Sequence, residues 1–327
     1  MSDAAISAAA LAWTVALGLS LLLTPLVRGR AVRANLVEAP GGRRVHHAAM
    51  PRLGGVAIVC GWYLAVAAGL AVLAALGGTV AEAPWLAGLL LGTAVIVGTG
   101  VVDDLRGLRP VAKLLAQLIA ALVAALLGVR LTAVVLPWGQ LELGLLGIPI
   151  SVLWIVAVVN AMNLIDGLDG LAAGLTVIAA SAFLGVALLA ESPGASTLIA
   201  TTALLGASLG FLRYNVHPAS IIMGDTGSMA IGFVLASLAI GLAGSGGAGI
   251  NALVPIVILA LPLGDTLFAI VRRAVRRRPI SAPDADHVHH RLLRGGGSVR
   301  RAVLVLYVAS AALGVAGVLL AIGVPAG

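Results

Sequence analysis

Two adjacent carboxylates, Asp103 and Asp104, lie where a long apolar run gives way to polar sequence, in GTGVVDDLRGLRPVAK at 98–113. Neighbouring side chains on a helix point about 100° apart, so at a fraying helix end both can reach one cation. Lys113, the only lysine in the chain, lies three residues into a helix that Pro110 opens. A compact ammonium there suits a phosphate. A second stretch, NAMNLIDGLDG at 160–170, repeats Asn163, Asp166 and Asp169 at every third position. A helical or 3-10 turn would put all three on one side. Gly167 and Gly170 free the backbone there to approach a ligand. A third, IIMGDTGSMAIG at 221–232, sets Asp225 between Gly224 and Gly227. Asp225, Thr226 and Ser228 are all suited to capping the next helix, and a helix start also favours an anion. The fourth, RRAVRRRPISAPDADHVHHRLLRGGGSVRR at 272–301, crowds His287, His289 and His290 beside Arg291. No thiol lies nearby, so phosphate or sugar contacts suit this cluster better than zinc.

Each motif has a plainer use, as a helix cap, a Gly-rich turn or a basic surface loop. The elements that carry them argue otherwise. Of 327 residues 61% are hydrophobic and 10% charged, against about 25% charged in a soluble domain. Mean hydropathy is +1.12. The apolar content would fill about ten spans of ~20 residues each. A soluble enzyme, a disordered chain and a disulfide-stapled secreted domain are excluded; Cys60 is the single cysteine, and only 4% aromatic residues argue against a base-stacking platform.

Apolar runs at 5–27, 53–77, 85–102, 110–128, 150–162, 171–190, 197–213, 227–244, 251–271 and 302–324 predict about ten transmembrane helices. The fifth is short for a full span and extends into the segment after it. The stretch 129–149, with Pro137, Gly139, Gly144, Gly147 and Pro149, reads as a hairpin-like excursion. The runs are too long, and too little alternating, for a β-barrel. The fold class is an all-α polytopic membrane protein, a single domain over 1–327 with 272–301 as a His/Arg-rich loop.

The first run, with Arg28, Arg30 and Arg33 after it, reads as an anchor with an external N-terminus. Ten spans then place 19 of the 20 Lys and Arg residues inside, all but Arg130, and the C-terminus outside. The same threading puts Glu38, Asp103, Asp104, Asp166, Asp169, Asp225, Asp265, Asp284, Asp286 and all six histidines at the cytoplasmic face. Polar residues at several helix ends on one side predict one site there. Gly244, Gly246 and Gly249 satisfy GxGxxG but fall in an outer loop with no preceding strand. His46 and His47 with Gly54 and Gly55 read as a flexible entrance loop. Hard carboxylates at a membrane surface suit Mg²⁺ held by one or two protein oxygens plus substrate phosphates. The residues therefore predict Mg²⁺-dependent phosphoryl transfer between a soluble phosphate compound and a lipid.

In this order, VVDDLRGLRPVAK, NAMNLIDGLDGLAAG, FLRYNVHPASIIMGDTGS and PDADHVHHRLL resemble the motifs of the polyprenyl-phosphate N-acetylhexosamine-1-phosphate transferases, the glycosyltransferase 4 family. The resemblance covers most of the chain. It implies transfer of a sugar 1-phosphate from a UDP-amino sugar to a polyprenyl phosphate in the plasma membrane, releasing UMP, for cell-envelope polysaccharide synthesis. HVHH looks like the branch using UDP-N-acetylglucosamine; the muramoyl-pentapeptide branch typically has three consecutive histidines there. By motif, the resemblance implies Asp225 and Asn163 as Mg²⁺ ligands, with Mn²⁺ as a substitute ion. Asp103 and Asp104 match the catalytic pair, and Lys113 the residue meeting the phosphates; Asp166 and His290 join the catalytic set. Asp169 matches a uracil contact, while His287, His289, His290 and Arg291 match a loop closing over the sugar phosphate. Ile222 stands where an aromatic ring often stacks on uracil. The implied partners are UDP-N-acetylglucosamine, polyprenyl phosphate and the membrane, without nucleic acid and with room for a homodimer.

Two rivals are weaker. A transporter would carry ionisable residues through the bilayer and paired broken helices, whereas these carboxylates gather at one surface. A CDP-alcohol phosphotransferase needs DGxxAR, but Asp169-Gly170 is followed by Leu-Ala-Ala-Gly.

Overall fold

The computed structural model describes residues 2–38, 49–136, 139–190, 194–244, 253–277 and 286–322; His46, His47, Gly246, Gly249 and Asp284 lie outside them. Its helices are α1 (Asp3–Arg33), α2 (Gly54–Ala75), α3 (Ala83–Arg106), α4 (Pro110–Leu126), α5 (Gly147–Ile165), α6 (Leu171–Leu189), α7 (Ala195–Asn215), α8 (Gly224–Gly244), α9 (Leu253–Ile258), α10 (Ala260–Val275), α11 (Val288–Arg294) and α12 (Val299–Ile322). Eight of these, α1, α2, α3, α5, α6, α7, α8 and α12, are long and apolar enough to cross a membrane, and α4 is a shorter apolar helix. The ninth apolar run departs from a simple span. It breaks at Leu259 into α9 and α10. The excursion before α5 is a two-stranded antiparallel ladder, β3 (Ala133–Leu136) with β4 (Gly139–Glu142), followed by a 3-10 turn at Gly144–Leu146. A second small ladder pairs β1 (Val37–Glu38) with β2 (Met50–Pro51).

Lipid tails are as apolar as leucine, so helices in a bilayer associate through close packing and interhelical hydrogen bonds. Small residues supply the first. Gly206 and Gly210, one turn apart on α7, face the Trp13 and Leu17 carbonyls of α1 so closely that a β-carbon at either would overlap backbone. The matching face of α1 is Ala5, Ala8, Ala9, Ala12 and Ala16. Indole N–H groups supply the second: Trp62 of α2 donates to the Ala200 carbonyl of α7, and Trp154 of α5 to Ala236 of α8, each at 3.1 Å. The hub is α8, 89% buried in its most apolar stretch against 28% for α1 and α12. It packs against α2, α3, α5, α6 and α7.

Gly54 and Gly55 open α2 and are fully engaged, contrary to the flexible-loop expectation. Their N–H groups bond the Ile222 and Met223 carbonyls at 3.0 and 2.8 Å, and Gly55 packs on the Gly227 backbone. This contact needs a residue without a β-carbon. It ties the start of α2 to the start of α8, at the bundle end where α3 finishes and α4 begins.

Candidate active site

The first turn of α8 is built by a neighbouring helix. Gly224 has φ +73°, and a β-carbon there would press on the Asp104 carboxylate, so glycine is required twice over. Asp104, at the end of α3, accepts from the Asp225 and Thr226 N–H groups at 2.9 and 3.0 Å and from Thr226 Oγ1 at 2.6 Å. A helix N-terminus leaves such donors unsatisfied and carries partial positive charge. Asp104 answers both. The cap of α8 is therefore Asp104, from another helix, and Asp225 itself remains available.

Asp103 points the other way. Its Oδ1 accepts from the Leu108 N–H at 2.6 Å, inside the turn that Gly107 (φ +69°) allows after α3. Its Oδ2 takes Lys113 Nζ at 3.1 Å, and the same ammonium reaches Asp225 Oδ2 at 2.7 Å. Pro110 starts α4 so that Lys113 lies in its first turn. Asn163, near the end of α5, lies beside the Asp225 carboxylate and donates to Ser228 Oγ at 2.9 Å. Ser228 is held in turn by the Gly224 carbonyl at 3.0 Å.

Asp103 and Asp225 thus share one ammonium, while Asp104 is balanced by helix dipole and N–H donors. One negative charge at the pair is left over, beside an amide and two carboxylates, all hard oxygen donors. That donor set fits Mg²⁺, which takes one or two protein oxygens and leaves its other positions to water or phosphate. Among the described residues no three His, Cys, Asp or Glu side chains form a ready-made cage.

Regular helical spacing does not relate Asn163, Asp166 and Asp169, because α5 ends at Ile165 and Asp166 is its C-cap. The chain then turns. Asp169 is buried and accepts from His217 Nδ1 at 2.8 Å and from the Ala219 N–H at 3.1 Å. Asn215 braces the turn, accepting from Gly170 N–H at 3.1 Å and donating to the Ile221 carbonyl at 3.0 Å. Two residues of α12 complete it: Tyr307 OH donates to the Gly170 carbonyl at 2.5 Å, and Arg300 Nε to the His217 carbonyl at 3.2 Å. Ile222 is buried, its N–H bonded to the Pro51 carbonyl at 3.0 Å.

The histidine loop is latched by a residue the motifs did not single out. Asp265 on α10 accepts from His287 Nδ1 at 2.7 Å and from the Val288 N–H at 2.8 Å. His289 is 1% exposed and lies against Gly167, where a β-carbon would overlap its ring. It stacks parallel to His287 at 5.8 Å and tilts against His290 at 4.3 Å. Burial, and then the neighbouring His290 and His287, push its pKa down to about 4. Its Nδ1 has no hydrogen-bond partner among the described residues. Arg291 is exposed, and Asp286 pairs with Arg294.

The structure therefore joins Asp103, Asp104, Lys113, Asn163 and Asp225 in one cluster, joins Asp169 to His217, and brings His289 to the turn between α5 and α6. Sequence reasoning missed His217, Asp265 and Tyr307. His217 lay inside FLRYNVHPAS and Asp265 among the inner carboxylates, but nothing local marked their partners, 48 and 22 residues away.

The model of Glycosyl transferase family 4 matches residues 86–243. A probable undecaprenyl-phosphate N-acetylglucosaminyl 1-phosphate transferase of Bacillus subtilis (strain 168) is 40% identical over 300 residues, covering 90% of this chain and 80% of the relative. A decaprenyl-phosphate N-acetylglucosaminephosphotransferase of Mycobacterium tuberculosis (strain ATCC 25618 / H37Rv) is 38% identical over 302 residues, covering 86% and 74%. A phospho-N-acetylmuramoyl-pentapeptide-transferase of Desulfitobacterium hafniense is 32% identical over 342 residues, covering 95% and 96%.

Proposed function

The chain belongs to glycosyl transferase family 4, and from that premise we propose that it transfers N-acetylglucosamine 1-phosphate from UDP-N-acetylglucosamine to a polyprenyl phosphate. The observation that carries this reading is the convergence of Asp103, Lys113 and Asp225, from three helices, on one point at one end of a membrane bundle. The higher identity to relatives named for N-acetylglucosamine transfer supports the donor.

Asp225 and Asn163 would hold Mg²⁺, which when bound supplies positive charge to the diphosphate and to the departing UMP. Lys113 neutralises phosphate oxygens as charge shifts to the leaving group. Asp103 orients that ammonium and is placed to take a proton from the lipid phosphate. A phosphate monoester has its second pKa near ~6, so at neutral pH the nucleophile is already largely dianionic and positioning outweighs proton removal. A lipid phosphate oxygen then bonds to the sugar-linked phosphorus, and the bond from that phosphorus to the UMP oxygen breaks. Asp104 keeps Asp225 at the reacting end of α8. The histidine loop, held with His289 against the Gly167 turn, covers the sugar phosphate.

The site end of the bundle faces the cytoplasm in this reading, because the Lys and Arg residues gather there. The test is a transfer assay on detergent-purified protein with polyprenyl phosphate, Mg²⁺ and radiolabelled UDP-N-acetylglucosamine or its muramoyl-pentapeptide counterpart. Mg²⁺-dependent label in lipid from the first donor alone, with UMP released, is the expected result. Label from the second donor alone would overturn the donor assignment, and silence with both, in folded protein, the activity.

A further inference from the structure

One helical turn deeper than the charged cluster, a second polar contact joins α4, α5 and α8. The Asn160 amide of α5 donates to Gln117 Oε1 of α4 at 2.6 Å and to the Val156 carbonyl at 2.8 Å. Gln117 Nε2 in turn reaches Met229 Sδ of α8 at 3.5 Å. Gln117 stands four positions after Lys113, Asn160 three before Asn163, and Met229 four after Asp225. Residues three or four apart share a helix face, so the two tiers are stacked along one seam. Gln117 is 3% exposed, and beyond it the buried face of α4 is only Ala120, Ala121, Ala124 and Ala125.

We propose that Gln117 and Asn160 are a positioning pair for the transfer reaction, setting the rotation and depth of α4 so that Lys113 lies between Asp103 and Asp225. Lys113 is a long side chain whose charge is placed by its helix as much as by its own rotamer. The outward face of α4 gives no register, since Leu114, Leu115, Leu118, Ile119 and Leu122 are exposed and interchangeable against lipid. Its buried alanines, seated against Gly88 and Gly92 of α3, set how closely α4 approaches but make no directional side-chain bond. A directional amide–amide bond in apolar surroundings does not slide, because breaking it strands two polar groups. Lys113 then reaches both carboxylates without searching for them.

This inference rests on the transferase reading. The experiment measures steady-state kinetics and thermal midpoints for wild-type protein, Gln117→Met, Asn160→Leu and the double variant. Each single change strands one amide and is expected to lower kcat by between about 10-fold and 100-fold, with KM for the sugar nucleotide within about twofold. The double variant, with both amides gone, is expected to recover most of kcat. If either single variant fails to purify, Asn160→Ser, which keeps a hydroxyl but loses the reach, carries the same expectation. Single variants with wild-type kcat and only a lowered thermal midpoint would make the pair mere scaffold and overturn the inference. A double variant no faster than the worse single would do so too, pointing to direct contact with substrate. A silent wild type would overturn the transferase reading and this inference with it, whereas an active wild type with unaffected singles overturns this inference alone.

Discussion

The Asp104 carboxylate, at the last turn of α3, accepts a 2.9 Å hydrogen bond from the backbone N–H of Asp225, in the first turn of α8. Two further bonds from Thr226 fill its oxygens. Of the adjacent pair Asp103–Asp104, one member thus builds the site and the other faces it. Asp104→Ala is expected to lower kcat at least about 100-fold through misplacement of Asp225, with about 1 kcal/mol of stability lost as for a removed cap. Thr226→Val, losing one of the three donors, should show a milder version of both. Kinetics beside thermal unfolding checks this; Asp104→Ala with unchanged stability and no activity would instead mean that Asp104 reacts directly.

Asp225→Ala should abolish transfer while leaving the protein folded. Removing this carboxylate takes away an expected metal ligand and one of the two partners of Lys113, yet leaves the three N-terminal bonds to Asp104 in place, since they use backbone and Thr226. Size-exclusion behaviour and thermal midpoint near wild type, with no label transferred, are the expected pair of results.

Lys113→Met separates two roles of the ammonium. Without it, Asp103 and Asp225 face each other uncompensated, and the attraction of a divalent cation for the site rises. The expected outcome is a lower Mg²⁺ concentration at half-maximal activity together with a kcat reduced at least about 100-fold, the scale of a lost electrostatic stabiliser. A Mg²⁺ titration of the residual activity measures the first. A raised requirement would show that Lys113 organises the ion site rather than competing with it.

His289 predicts the acid response of the loop. Its pKa of about 4 when docked lies below the ~6.5 of a free imidazole, so the undocked loop binds a proton that the docked loop excludes. Docking is at full strength above about pH 6.5, weakens as pH falls from there, and stops weakening below about 4. The linkage slope is positive throughout that window. Thermal midpoints between these limits should fall more steeply for wild type than for His289→Phe, which keeps a ring but cannot titrate. Superimposable profiles would sink the prediction.

Gly167→Ala should dislodge the same loop sterically, because the added methyl overlaps the His289 ring. A kcat decrease of about tenfold, relieved in a Gly167→Ala, His289→Ala double variant relative to the sum of the singles, is the expected coupling. Strict additivity would place the two residues out of contact.

The membrane class and the placement of helices were legible in the chain because a bilayer imposes a length and a hydropathy that no neighbouring residue can override. Each apolar run forms helix over most of its described length, the ninth broken at Leu259. The hairpin before α5 was legible from its glycines and prolines. Asp103, Lys113 and Asp225 stood out because several charged helix ends gather on one side of the membrane in the threading. Their division of labour was not legible. Asp103 and Asp104 are neighbours of the same type, and only the approach of α8 decides that one caps a helix while the other meets an ammonium. The regular spacing of Asn163, Asp166 and Asp169 does not fix their placement, because α5 stops between the first and the others. The latch of Asp265 on His287, the hold of Asp169 on His217 and the deeper pair of Gln117 with Asn160 join residues on different elements. By itself the sequence determined which polar and charged groups stand at which helix ends. The tertiary structure decided which groups touch, since hydrogen bonds and ion pairs depend on distances of a few ångström that only helix packing sets.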